Sequence, residues 1–217
     1  MSAPPGLAAV DGVAPQTLVV PTRHGEARAH LLHRDAGLRG AVVLGHGAGG
    51  GIDAPDLLAV AAVGLDLGLL MVLVEQPYRV LGRRVPPRAP TLDAAWEDVL
   101  DALRADALEG VPTVVGGRSS GGRVACRTSV TTTPSGVLCL AFPTRTPGKP
   151  DAPDRLGELD EVRVPVLVVQ GRSDPFGIPP QAPGREVVLV DGDHALRRDL
   201  DAVRAAVGPW LERTLTL

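Results

Sequence analysis

Two segments of this chain, Ala41–Leu44 and Leu69–Val74, are apolar throughout. A strand with water on one face alternates apolar and polar residues, so a strand without polar positions is covered on both faces, as in a parallel sheet. Further strands are read at Thr113–Val115, Gly136–Phe142, Val166–Gln170 and Val187–Val190. Between them the period changes. Pro55–Leu67 is apolar at helical spacing. Thr91–Leu108 sets Leu92, Trp96, Val99, Leu100, Leu103 and Leu108 on one face opposite Asp, Glu and Arg, and Gly110 and Pro112 end it. Ser120–Ser129 reads as a helix, and Asp199–Leu211 carries Leu200, Val203, Val207 and Trp210 at helical spacing. Strands alternating with helices of this length make βαβ units, hence an α/β fold with a mostly parallel sheet and helices on both faces. Gln16–Val20 and Glu26–Leu32 read as a leading hairpin. Residues 1–15, rich in Ala, Pro and Gly, read as a flexible lead-in to a single domain over 16–217, with Pro77–Pro90 and Pro143–Pro153 as loops within it.

Composition narrows the function. Lys and Arg total 22 against 25 Asp and Glu, a formal charge of -3, and aromatics are 2%. A chain without a basic excess or stacking rings is a poor nucleic-acid binder, so no nucleic-acid partner is expected. Cys126 and Cys139 are too few for a disulfide scaffold and lack metal-ligand spacing; they read as small core residues. No metal and no cofactor are expected. Met1–Gln16 lacks the basic and apolar regions of a signal peptide, and no apolar run approaches the ~18 residues of a membrane span. The expectation is a cytoplasmic protein with no membrane partner, acting as a monomer or homodimer.

In an open α/β sheet, chemistry sits at the carboxyl ends of the strands. After Thr113–Val115 comes Gly117-Arg118-Ser119-Ser120-Gly121. A sharp strand-to-helix turn lifts a central serine above the sheet, and small residues two before and two after let that turn close. A serine hydroxyl needs a base to take its proton. The one histidine downstream is His194, in Asp191-Gly192-Asp193-His194 after a strand. The acid that orients it is expected to be Asp174, in Gly171-Arg172-Ser173-Asp174-Pro175-Phe176-Gly177 after the preceding strand. Asp191 and Asp193 stand too close in sequence to His194 to face its ring and read as turn residues, with Asp151 and Asp154 in reserve. An oxyanion hole needs two backbone N–H groups: one from Ser120, the other from the loop Gly45–Gly51, with Ala48 first and Gly47 next. That loop lacks the Gly-Lys-Ser/Thr of a phosphate loop, and His46 reads as shaping it by hydrogen bonding.

These motifs together resemble an α/β-hydrolase. Glu75-Gln76-Pro77-Tyr78-Arg79 with Gly82-Arg83-Arg84, and the Gly-Gly-Arg-Ser elbow, are similar to small predicted hydrolases related to dienelactone hydrolase, whose domain animal testis-expressed and histone-acetyltransferase-complex subunits share. The resemblance spans roughly Thr17–Leu217. It implies an eight-stranded, mostly parallel sheet whose first hairpin is antiparallel, and a triad matching at Ser119, Asp174 and His194. Ser120 departs from the bulky apolar residue frequent there.

Only 22 residues, Pro143–Val164, separate the strand after the elbow helix from the acid-bearing strand, too few and too rich in Pro for a cap domain. A shallow, wet site suits a small soluble ester or lactone. Arg79, Arg83, Arg84 and Arg88 follow the strand Leu69–Val74, and Arg118 abuts the serine. They read either as a guanidinium clamp on an anionic substrate or as solvated surface. The leading expectation is a serine hydrolase working through an acyl-enzyme. The alternatives are an interaction module of the same fold and an acyltransferase using the same three residues.

Overall fold

At the middle of the sheet β3 (Ala41–Gly45) is buried at all five positions, and β4 (Leu70–Glu75) beside it is buried at all but Glu75. The computed structural model describes residues 10–34, 37–149 and 151–217. With β1 (Gln16–Thr22), β2 (Gly25–Leu32), β5 (Thr113–Arg118), β6 (Gly136–Leu140), β7 (Val166–Gly171) and β8 (Arg185–Val190), these strands form one eight-stranded sheet in the order β1-β2-β4-β3-β5-β6-β7-β8. β2 pairs antiparallel with both β1 and β4, and every other pairing is parallel. The mostly parallel sheet and antiparallel first hairpin expected from sequence are what forms.

The pleat sorts each apolar run onto two cores. Val42, Leu44, Met71 and Leu73 join Leu138 and Val169 beneath α1 (Pro55–Asp66) and α6 (Leu200–Leu215). Val43, Val72 and Val74 join Val137 and Val168 beneath α3 (Ala89–Arg104) and α4 (Ser120–Thr132). Each core is anchored by one tryptophan, Trp210 on the first face and Trp96 on the second. Each fully buried leucine contributes about 1.5–3 kcal/mol, so neither face of these strands tolerates water.

Several boundaries differ from the sequence reading, for local reasons. α3 stops at Arg104, and the chain turns back with the Leu108 N–H on the Leu103 carbonyl at 2.8 Å. Leu108 is still buried, so the apolar stripe outlasts the helix. α6 runs on to Leu215 through Pro209, and Asp199 caps it by accepting from the Ala202 N–H at 3.0 Å. Pro77–Pro90 is not all loop: it holds α2 (Pro77–Val80) and the start of α3. Residues 1–9 of the expected lead-in lie outside the described residues, whereas Val10 is buried in the core under α1 and α6. Between Phe142 and Pro165 the described residues form one five-residue helix, α5 (Leu156–Asp160), and no cap domain. No helix among the described residues is long and apolar enough to cross a membrane.

Candidate active site

Ser119 sits between β5 and α4 at φ 51°, ψ -104°. A non-glycine residue there costs about 1–3 kcal/mol and persists only where its surroundings impose it. Here they do: the Ser119 N–H donates to the Leu140 carbonyl at 2.8 Å. The backbone of Gly45 in β3 lies against both flanking glycines. A Cβ on Gly117 would stand 2.2 Å from the Gly45 oxygen, and one on Gly121 would stand 2.4 Å from it. The glycine spacing around Ser119 is therefore the imprint of one neighbouring residue.

β7 and β8 deliver the other two groups. Asp174 Oδ2 lies 2.8 Å from His194 Nδ1, and His194 Nε2 lies 3.0 Å from Ser119 Oγ. Asp174 is buried and held on both oxygens: Oδ1 accepts from the Phe176 N–H at 2.8 Å, Oδ2 from Gln170 Nε2 at 2.7 Å. That amide nitrogen also faces the carbonyls of Phe142 and Gly177. Three acceptors around one nitrogen fix the amide's orientation. Phe176 stacks on His194, ring centroids 4.1 Å apart. The competing acids lie elsewhere. Asp193 accepts from the Ala195 N–H within its own turn, Asp191 pairs with Arg172 at the surface, and Asp154 accepts from the Leu156 N–H ahead of α5.

The Gly45–Gly51 loop is braced from below. His46 Nε2 accepts from the Gln76 N–H at 3.2 Å, which leaves the ring hydrogen on Nδ1, where it donates to the Gly47 carbonyl at 2.9 Å. Burial pushes the His46 pKa below the usual histidine value, consistent with a neutral ring. Pinning the Gly47 oxygen turns the N–H of the same peptide, that of Ala48, to the opposite side. The next carbonyl, that of Ala48, accepts from the Tyr78 hydroxyl at 2.8 Å. Ala48, Ser119 and Ser120 border one cavity of about 250 Å³. A Cβ on Gly47 would come within 3.8 Å of the Ser119 Cβ, so the loop lies over the elbow.

The segment Pro77–Pro90 reaches the Ser119 cavity through Pro86, Pro87 and Ala89, but the arginines read from sequence take other places. Arg118 does not face the cavity as a free cation: its Nε pairs with the fully buried Asp56 at 2.9 Å and its Nη2 donates to the His194 carbonyl at 2.8 Å. Arg79, Arg83, Arg84 and Arg88 do not border the cavity that holds Ser119. Arg79 donates to the Arg83 carbonyl, and Arg83 lines an adjoining cavity with Gln76, Tyr78 and Leu81 that shares Pro86 and Pro87 with the first. The cations at the Ser119 cavity are Arg123, Arg127 and Arg155. Among the described residues, no group of three or more His, Cys, Asp and Glu side chains could hold a metal ion. Cys126 and Cys139 are buried free thiols, 3.6 Å apart between α4 and β6.

A family model described as an alpha/beta hydrolase domain matches residues 38–201, from just before β3 into α6. The chain belongs to the alpha/beta hydrolase family. No curated protein matches it in sequence. Solved structures share the architecture of this alpha/beta hydrolase. An α/β serine hydrolase without a lid from Xanthomonas campestris is 18% identical, with a TM-score of 0.72 over 92% of this chain and 94% of that one. Dienelactone hydrolase from Anabaena variabilis is 19% identical, with a TM-score of 0.72 over 93% and 98%. An esterase from Pyrococcus furiosus is 14% identical, with a TM-score of 0.73 over 99% and 96%. At these identities the likeness is one of fold.

Sequence reasoning missed three features of this alpha/beta hydrolase's site. Gln170 was legible only as the polar end of an apolar strand, Val166–Gln170, yet it is fully buried behind Asp174. Asp56 sits in the first turn of α1, where an acid is ordinary, and nothing local shows that Arg118 will meet it. Arg155 lies in the stretch read only as a short polar connection.

Proposed function

We propose that this alpha/beta hydrolase is a serine hydrolase acting on a small carboxylic ester or lactone. Ser119 Oγ attacks the carbonyl carbon while His194 Nε2 takes the hydroxyl proton. The carbonyl π pair moves onto oxygen, and the N–H groups of Ser120 and Ala48, with Gly47 the next candidate, receive that charge. On collapse the bond to the alcohol oxygen breaks and His194 gives the proton to it. Water then attacks the acyl-enzyme by the same route and regenerates Ser119. Asp174 keeps the hydrogen on His194 Nδ1 and stabilises the transient imidazolium.

The observation that carries this reading is the pair of contacts at His194, 2.8 Å to Asp174 and 3.0 Å to Ser119. A small substrate is favoured by the cavity of about 250 Å³ and the absence of a cap among the described residues. The test is hydrolysis of p-nitrophenyl acetate. Ser119→Ala is expected to abolish it with the thermal midpoint almost unchanged; full retained activity would move the nucleophile elsewhere.

A further inference from the structure

Three guanidinium groups face the Ser119 cavity, and two carboxylates answer them. Arg127 pairs with Asp93 of α3 and with Glu158 of α5. Arg123 pairs with the same Glu158. Both therefore tie α4 to its neighbours and are neutralised by contact. Arg155 forms no ion pair among the described residues. Its Nη2 donates to Thr146 Oγ1 at 2.7 Å, and its Nη1 stands 3.4 Å from the carbonyls of Pro143 and Arg145. Its own N–H donates to the Thr144 carbonyl at 2.9 Å, so backbone and side chain are fixed to the loop after β6. Burial and the charge of Arg123 weigh against its cation, and the more distant charge of Glu158 favours it. A half-buried guanidinium whose hydrogen bonds all go to neutral acceptors has no carboxylate in direct contact and keeps donors to spare.

We propose that Arg155 is the subsite for a free carboxylate on the substrate, so that the preferred substrates are esters or lactones carrying a carboxylate apart from the one they release on cleavage. This rests on the reading of Ser119 as nucleophile. The guanidinium fork matches a carboxylate in plane with two parallel hydrogen bonds, and its attachment to Thr146 holds it in place before substrate arrives. Arg123 and Arg127 cannot serve equally, because a substrate would have to displace Glu158 or Asp93. The specificity therefore resides in one residue of the three.

The test compares matched esters: mono-p-nitrophenyl adipate against p-nitrophenyl hexanoate, and 4-acetoxybenzoate against its methyl ester. These place the charge on the acyl and alcohol sides respectively. For at least one pair, kcat/KM is expected to favour the carboxylate by about tenfold at low salt, and added salt should shrink the preference. Arg155→Met should bring the charged-to-neutral ratio to about one, and Arg155→Lys should retain part of it. Because the readout is a ratio within each variant, a general loss of activity cancels. An unchanged ratio in Arg155→Met, or no preference in the wild type, overturns the subsite while leaving Ser119 chemistry intact. If no ester turns over and a fluorophosphonate leaves Ser119 unlabelled, the hydrolase reading falls and the subsite with it.

Discussion

Arg118 donates to the main-chain oxygen of His194 across 2.8 Å, so the residue preceding the proposed nucleophile also holds the loop that presents the proposed base. Its other contact, Asp56, is fully buried at the start of α1. The elbow, the His194 loop and α1 thus meet on one guanidinium. Burial pushes the Asp56 carboxyl above the usual aspartate value, and Arg118 pulls it back.

Removing one member of a buried pair strands the other, at a cost of about 3–5 kcal/mol. Arg118→Met is predicted to lower the thermal midpoint by roughly 6–20 °C in a domain of this size. The double variant Arg118→Met/Asp56→Leu should recover part of that loss, since it leaves no stranded charge. Calorimetry of the four proteins reads the coupling. Losses that simply add would show that the two side chains stabilise the fold independently.

His46 gives the Gly45–Gly51 loop a pH dependence of known sign. Its folded pKa lies below the unfolded 6.5 because of burial, with Arg79 lowering it further and Glu75 opposing. Between the folded value and 6.5 the unfolded chain binds more protons. The contribution to stability is therefore complete above about pH 6.5 and is lost as pH falls toward the folded value. His46→Asn keeps a donor for the Gly47 carbonyl but does not titrate. Denaturant unfolding from pH 7.5 to 5 should show a steeper acid-side loss for the wild type than for the variant. Parallel curves would remove His46 from the account.

Asp174, near His194 in space, and Asp193, next to it in sequence, separate by kinetics. Asp174→Asn is predicted to cost about four orders of magnitude in kcat, the usual penalty for a wrong imidazole tautomer. Asp193→Asn should change it less than about threefold, because that carboxylate serves its own turn. The reverse ranking would reassign the acid.

Acyl length tests the open site. A cavity of about 250 Å³ beneath a segment with no cap leaves a long chain in water beyond its first carbons. Acetyl and butyryl p-nitrophenyl esters should be cleaved with higher kcat/KM than the decanoyl ester. A profile that climbs with chain length would contradict the reading of a small, open site.

What sequence conveys about this protein depends on range. Ala41–Leu44 and Leu69–Val74 announce a doubly covered sheet because burial on both faces leaves a local mark. Ser119, Asp174 and His194 are legible because each follows a strand in the order this fold requires. The arginines behave differently. Arg79, Arg83 and Arg84 look like a clamp from their density, but none of them is among the residues that border the Ser119 cavity, and the four-residue helix α2 that carries Arg79 leaves little periodicity to read. Arg155 and Gln170 act through partners fixed only by tertiary packing, Thr146 and Asp174. α3 ends earlier than its apolar stripe for a related reason: Leu108 is buried by a turn, and burial pattern alone does not tell a turn from a helix.

The proposed chemistry depends on Ser119 being a nucleophile activated by His194. The most direct measurement is covalent labelling with a fluorophosphonate, followed by mass spectrometry of the modified peptide, in the wild type, Ser119→Ala and His194→Ala. A single adduct on Ser119 is expected, with none in Ser119→Ala and labelling slowed by at least about a hundredfold in His194→Ala. An adduct on Ser120, or labelling of Ser119 at the same rate without His194, would contradict it.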